Sequence, residues 1–296
     1  MSSKRPTRDT VEGRAYLDLQ NAARRAGRDT AECLSLYALE CFLARLASSI
    51  YANNFVLKGG VLLATFAVRR PTRDIDLHAS GFMGDIDEIV SRAREIAAID
   101  RADGFVFDLA TIRGETIRDE DDYPGVRVSL TGRLAAAAII FHLDVNFGDP
   151  IWPEPAVTKL PLLLGGELPI RGYPVHMVLA EKIVTAISRG RVNTRWRDFL
   201  DITNIARHNA VDGNDLCTAL RVVSEYRKVP LIPLAIALDA MAPIAQNRWA
   251  AWRRKQRLQD RTPLEFQHLI DTCVVFADPA ITGAALEQGW NGEQWS

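Results

Sequence analysis

Asp74 and Asp76 flank a single apolar residue in Thr72-Arg73-Asp74-Ile75-Asp76-Leu77, and thirteen residues separate Asp74 from a glycine pair, Gly59-Gly60. On an extended strand alternate side chains share a face, so both carboxylates point one way while Ile75 and Leu77 point the other, toward a core. The strand rise holds them about 6–7 Å apart at the backbone, close enough to converge on one metal ion. Two unpaired like charges in a buried strand would each cost several kcal/mol or take up a proton, and a bound cation removes that cost. A solvated strand end, or ion pairs with Arg69, Arg70 and Arg73, would explain an arbitrary D-x-D equally well. The glycine pair at a fixed distance upstream shifts the balance toward chemistry.

The elements around these residues read as strand, turn, helix, loop, strand. Phe55 to Leu57 is a short apolar strand, Gly59-Gly60 a turn, and Val61 to Ala67 has helical apolar spacing that ends at Pro71. Upstream, Thr10 to Ala26 reads as a helix stopped by Gly27. Asp29 or Thr30 then caps a long amphipathic helix running to about Ala52. Downstream, Gly84 to Ala98 is a helix with an acidic first turn, and Phe105 to Ile112 and Val126 to Leu130 form a hairpin around a charged turn, Arg113 to Tyr123. Ala136 to Phe147 is a strong strand interrupted by Asp144.

The spacing Gly59-Gly60 to Asp74-Ile75-Asp76-Leu77 resembles the nucleotidyltransferase signature of the DNA polymerase β-like superfamily. More narrowly, Leu57-Lys58-Gly59-Gly60 with Thr72-Arg73-Asp74-Ile75-Asp76 resembles the AbiEii/MenT group of nucleotidyltransferase toxins from bacterial toxin–antitoxin and abortive-infection systems. The resemblance extends from about Thr30 to Phe276. It implies Asp144, in Leu143-Asp144-Val145-Asn146-Phe147-Gly148-Asp149, as a third carboxylate beside Asp74 and Asp76, the three holding two Mg²⁺ ions. It implies an NTP substrate received at Lys58, Gly59 and Gly60, with Lys182 in Ala180-Glu181-Lys182 holding the triphosphate.

Lys182 interrupts an apolar stripe on a helix from Val175 to Ser188, where snorkelling or pairing with Glu181 or Asp198 is the plain alternative. Arg195-x-Arg197-Asp198-x-x-Asp201 is similar to a family motif that carries lysine where Arg197 stands. Arg195 with Asp198 and Arg197 with Asp201 would equally make surface ion pairs, worth about 0.2–0.5 kcal/mol each. By resemblance Asp198 is an active-site residue that orients Lys182 or the acceptor hydroxyl. A hydroxyl two residues before the first aspartate is a phosphorylation site for the antitoxin in some relatives, and Thr72 holds that place; a backbone hydrogen bond ending the loop is its other reading.

The implied fold is α+β: a nucleotidyltransferase core with a mixed β-sheet flanked by helices in residues 1–155, and a mainly helical C-terminal domain in 156–296 that completes the active site. Ile151 to Pro174, with five prolines, reads as irregular or edge structure joining the two. Near the C-terminus, Arg248, Arg253, Arg254, Lys255 and Arg257 are interleaved with Trp249 and Trp252. That pattern suits an RNA backbone and unpaired bases, as do Arg69, Arg70, Arg73 and Arg195; core tryptophans beside a solvated basic face fit it as well. Pro263 to Phe276 is a last amphipathic helix and Trp290 to Ser296 a polar tail.

Of 296 residues, 36 are Lys or Arg and 37 Asp or Glu, so global charge does not advertise a nucleic-acid partner and the basic patches must do so locally. The four cysteines lack metal-type spacing and read as reduced thiols, and the histidines give no zinc pattern. The absence of an apolar run of membrane length predicts a cytoplasmic protein, expected to be a monomer. The functional expectation is a Mg²⁺-dependent toxin that transfers nucleotides from NTP to RNA, the tRNA 3′ end, and is neutralised by a cognate antitoxin. Modification of an antibiotic or a protein, and a non-catalytic role in a defence complex, are the rivals.

Overall fold

The computed structural model describes residues 6–66, 69–82, 84–118 and 124–296, and divides into two compact units. Met1–Thr65, Arg69–Asp149 and Ala156–Gly172 make up the first, and Phe66–Val68, Pro150–Pro155 and Tyr173–Ser296 the second.

The first unit begins with α1 (Val11–Ala26), whose Thr10 Oγ1 accepts the Gly13 N–H at 3.2 Å and whose end is a left-handed Gly27. Helix α2 (Thr30–Ser48) is capped by Asp29, which accepts the Ala31 N–H at 2.8 Å. Then follow β1 (Phe55–Lys58), a single helical turn α3 (Gly59–Leu62) continuing as a 3-10 turn, β2 (Asp74–Ala79) and α4 (Ile86–Ala97). The remaining elements are β3 (Phe105–Phe107), β4 (Arg113–Arg118), β5 (Pro124–Leu134), β6 (Ala137–Asn146), β7 (Ala156–Pro161) and β8 (Glu167–Gly172).

The strands form one mixed sheet in the order β3-β5-β6-β2-β1-β8-β7, with β4 also on β5. The pairs β2·β6 and β1·β8 are parallel and the others antiparallel. Burial alternates along β6: Ile139, Phe141, Leu143 and Val145 are buried, while Ile140 is exposed and His142, Asp144 and Asn146 are half-buried. The buried set joins Ile75 and Leu77 of β2 and Leu39, Phe42, Leu43 and Leu46 of α2 in the core. Phe42 packs edge-on against Phe107 and Phe141, with ring centroids 6.1 and 6.3 Å away. Two-residue alternation thus leaves the other face of β2 and β6 for polar side chains.

The second unit contains α5 (Val175–Arg189), α6 (Trp196–His208), β9 (Val211–Asp212), α7 (Gly213–Arg227), the short α8 (Leu234–Ala237), α9 (Met241–Gln256), α10 (Phe266–Thr282) and β10 (Gly289–Trp290). Phe266 centres its aromatic core, with the rings of Trp196, Trp249 and Phe199 at 5.2, 5.4 and 5.7 Å.

Several expectations change. Residues 156–172, assigned from sequence to the helical part, form the β7–β8 hairpin, and its sheet pairing places it in the first unit. Residues 113–118, expected in a turn, form β4; the rest of that expected turn, 119–123, lies outside the described residues. The expected helix from Val61 is replaced by α3 and the 3-10 turn Leu63–Phe66, and Ala67 lies outside the described residues. The polar tail is anchored: Trp290 pairs in β10 with Val211, and Trp295 stacks on Phe276 at 5.7 Å. Among the described residues no helix is long and apolar enough to cross a membrane.

Candidate active site

Strand register builds one polar row across the first unit's sheet. Lys58 on β1 stands opposite Asp76 on β2, Asp76 opposite Asp144 on β6, Asp144 opposite Arg127 on β5, and Arg127 opposite Glu115 on β4. Directly paired residues on neighbouring strands share a face with Cβ atoms about 4.5–5.5 Å apart. Asp74 lies one row over, opposite His142, whose Nδ1 is 3.0 Å from Asp74 Oδ1. Arg127 grips Asp144 with both arms, Nε to Oδ1 at 2.8 Å and a terminal nitrogen to Oδ2 at 2.7 Å. That contact raises the guanidinium pKa above its usual value, the hydrogen bond to Asp144 being the largest cause.

The glycine turn closes one end of this row. Gly59 has φ +66°, and a Cβ placed there would lie 1.8 Å from Asp76 Oδ2. Gly60 donates its N–H to the same oxygen at 3.3 Å, and Lys58 Nζ reaches Asp149 Oδ2 at 3.1 Å. Thr72 Oγ1 donates to the Asp74 carbonyl at 3.3 Å, and a Cβ on Gly60 would sit 2.9 Å from that hydroxyl. Lys58, Gly59, Gly60, Thr72, Asp74, Asp76 and Asp144 are therefore brought together in the first unit.

Burial, then the neighbouring Asp144, pushes the Asp76 carboxyl up to about 6, against the pull of Lys58, the Gly60 N–H and Arg70. An acid with a folded pKa above its unfolded value, ~3.9, stabilises the fold fully below that unfolded value and loses the contribution as pH rises through the folded one. Between pH 4 and pH 7 this group is expected to remove at most about 3 kcal/mol, an upper bound because the residue is only half-buried. Urea unfolding across that range checks it, and Asp76→Asn should flatten this part of the slope.

Three carboxylates on one sheet face are the hard oxygen donors that Mg²⁺ prefers, and a cation between Asp76 and Asp144 would relieve their repulsion. In position the residues fit a divalent ion. Their side chains are otherwise engaged, Asp144 with Arg127 and Asp74 with His142. Accordingly, no group of three His, Cys, Asp or Glu side chains is gathered as a finished metal cage among the described residues.

A second cluster lies within the helical unit. Lys182 Nζ of α5 donates to Asp198 Oδ1 at 2.8 Å and Asp201 Oδ2 at 2.9 Å, both on α6, and Arg195 Nε lies 3.0 Å from Asp198 Oδ2. Asp198 and Asp201, three residues apart, face α5 together, and the Asp201 side chain is 1 % exposed. The expected Arg195–Asp198 pair is present. Asp201, expected to pair with Arg197, holds Lys182 instead, because the buried side of α6 faces α5.

Two of the arginines proposed for RNA have structural work. Arg253 is buried, donating to Thr262 Oγ1 and to the Gln259 and Thr262 carbonyls at 2.7–2.8 Å, so it closes the loop after α9. Trp249 is likewise core. Arg69 pairs with Glu40 at 2.8 Å and donates to the Pro161 carbonyl. Arg73 and Arg254 are exposed, Arg195 is exposed apart from its bond to Asp198, and Arg70 lies beside Gly60. Sequence reasoning missed Arg127. Its only signal was the alternation of Arg127 and Ser129 with Val126, Val128 and Leu130, which puts it on a polar face but names no partner.

The family profile described as "Nucleotidyl transferase AbiEii toxin, Type IV TA system" matches residues 41–275. A comparison with curated proteins gives no match. Among solved structures, the chain is similar to a candidate nucleotidyltransferase from H. pylori, with 14% identity over 85% of this chain and 95% of the other and a TM-score of 0.49. JHP933 from Helicobacter pylori gives 13% identity over 83% and 89% with a TM-score of 0.46. An antigenic nucleotidyltransferase-like protein from Paracoccidioides brasiliensis gives 16% identity over 66% and 89% with a TM-score of 0.38. With its profile match spanning most of its length, the chain belongs to the AbiEii family of nucleotidyl transferase toxins of type IV toxin–antitoxin systems.

Proposed function

We propose that this nucleotidyltransferase moves a nucleotidyl group from an NTP to a hydroxyl of RNA, the tRNA 3′ end, and so stops translation and growth until a cognate antitoxin neutralises it. The observation that carries the reading is the register of Asp76 with Asp144, next to Asp74 and against a glycine turn with no room for a side chain. Asp74, Asp76 and Asp144 would hold Mg²⁺. When bound, the metal supplies Lewis-acid polarisation of the attacking hydroxyl and neutralises charge on the departing pyrophosphate.

The chain's own residues bind and orient. Gly59 and Gly60 let the NTP approach the backbone, while Lys58 adds positive charge beside Asp76. Within the second unit Asp198 and Asp201 hold the ammonium of Lys182, which the family resemblance makes a candidate phosphate contact. The acceptor oxygen forms a bond to the α-phosphorus as the bond to the bridging oxygen breaks; pyrophosphate leaves and the hydroxyl proton passes to solvent. Exposed arginines in each unit, Arg73 in the first and Arg254 in the second, are candidates for RNA-backbone contacts. Phosphorylation of Thr72 would put nearly two negative charges beside Asp74 and repel the triphosphate, giving the antitoxin a point of control.

The test uses purified protein, labelled NTPs, Mg²⁺ and tRNA with either an intact or a periodate-oxidised 3′ end. Label is expected on intact tRNA only, and Asp76→Asn should abolish it. No transfer to intact tRNA, under conditions where a related enzyme works, would reject the acceptor.

A further inference from the structure

The contact between Arg127 and Asp144 occupies both oxygens of an acid that the proposed reaction needs for a cation. An arginine opposite an aspartate on neighbouring strands is ordinarily a static surface pair. Two features of this row argue otherwise. On its far side Asp144 faces a second carboxylate, Asp76, which Lys58 and Arg70 offset, so Arg127 competes for Asp144 with any cation drawn to the pair. Arg127 in turn stands between two acids, Asp144 on β6 and Glu115 on β4, both directly opposite it in register. Its side chain is 35 % exposed against 14 % for Asp144, and Glu115 is exposed. Arg127 is thus the more accessible partner of the pair, with a second carboxylate opposite it one strand away.

We propose that Arg127 is a displaceable counter-ion that competes with a divalent cation for Asp144, with Glu115 on β4 as its alternative partner. The inference rests on the assignment of Asp144 as a metal ligand. Its consequence is that Arg127 tunes cation affinity, because the binding-competent site is only the fraction in which Asp144 is released. A bidentate grip on a half-buried carboxylate favours the closed arrangement by about tenfold, and the apparent affinity falls by the same factor.

The test is titration of the full chain with Mn²⁺ alone, free Mn²⁺ being followed by electron paramagnetic resonance, with thermal melts to confirm that each variant is folded. Arg127→Lys keeps the charge but loses the two-armed fork, so it separates exchange from plain electrostatics. About tenfold tighter Mn²⁺ binding is expected for Arg127→Lys, and at least as much for Arg127→Gln. Glu115→Gln removes the alternative partner and should weaken binding about threefold; unchanged affinity there rejects Glu115 as the second position. Wild-type affinity in Arg127→Lys overturns the exchange while leaving the metal site intact. Failure of both the wild type and Arg127→Lys to take up Mn²⁺ overturns the ligand assignment itself, and the exchange with it.

Discussion

Replacing Gly59 with alanine is expected to abolish nucleotidyl transfer and to cost about 3 kcal/mol or more of stability. The left-handed φ of +66° alone costs an alanine about 1–2 kcal/mol. The added Cβ would also lie 1.8, 2.4 and 2.7 Å from Oδ2, Cγ and Cβ of Asp76, so the whole side chain must move and not only its tip. The movement would break the Gly60 N–H contact and push Asp76 out of register with Asp144. Gly60→Ala is the matched control. Its Cβ would meet the Thr72 hydroxyl at 2.9 Å, a side-chain tip that can turn away. Urea unfolding of both variants should show a severe loss of stability for Gly59→Ala and a mild one for Gly60→Ala. Equal behaviour of the two would remove the steric argument.

Lys182→Met should produce the larger loss in the helical unit, about 3–5 kcal/mol, because it strips the ammonium from two buried carboxylates at once. Asp198 lies 3.0 Å from Arg195 as well, and Asp201, 1 % exposed, loses an ammonium 2.9 Å away. Adding Asp198→Asn and Asp201→Asn to the same variant should recover much of that loss, since neutral amides cost far less to bury than ions. Chemical denaturation of the single and triple variants measures this. A loss below about 1 kcal/mol in the single variant would mean that the clamp is solvated and energetically idle. The result also governs how activity data are read: loss of transfer in Lys182→Met counts toward a phosphate contact only where the protein remains folded.

What could be read in advance follows from how far each signal reaches along the chain. Period-two alternation put Asp74 and Asp76 on one face, and residue type marked the Gly59-Gly60 turn; both are local properties, and both hold. Which side chain of another strand lies opposite is a matter of register, which no local pattern encodes, so Arg127 and Glu115 stayed invisible. The prolines of 151–174 left irregular or edge structure open, and the edge alternative forms, since proline is tolerated at a sheet edge, where the β7–β8 hairpin lies. In the basic stretch of α9, composition left open a nucleic-acid surface or core tryptophans beside a solvated basic face, and Trp249 is core. The chain after Gln256 folds back and gives Arg253 carbonyls and a hydroxyl to satisfy, a tertiary event that charge counting does not foresee. Trp290 and Trp295 show the same limit: a short polar tail gains its order from Phe276, and Phe276 lies in another element.

Strand β2 is the fourth of seven in the sheet path, and β6 and β1 lie on either side of it. Fraying begins at edges, so amide protons of β3 and β7 should exchange with solvent early, while those of Ile75, Leu77, Leu143 and Val145 wait for opening of the whole unit. The carboxylates thus sit on the strands of the first unit expected to exchange last. Their spacing would survive the local openings that loosen loops and hairpins, and only global unfolding of the sheet would erase it.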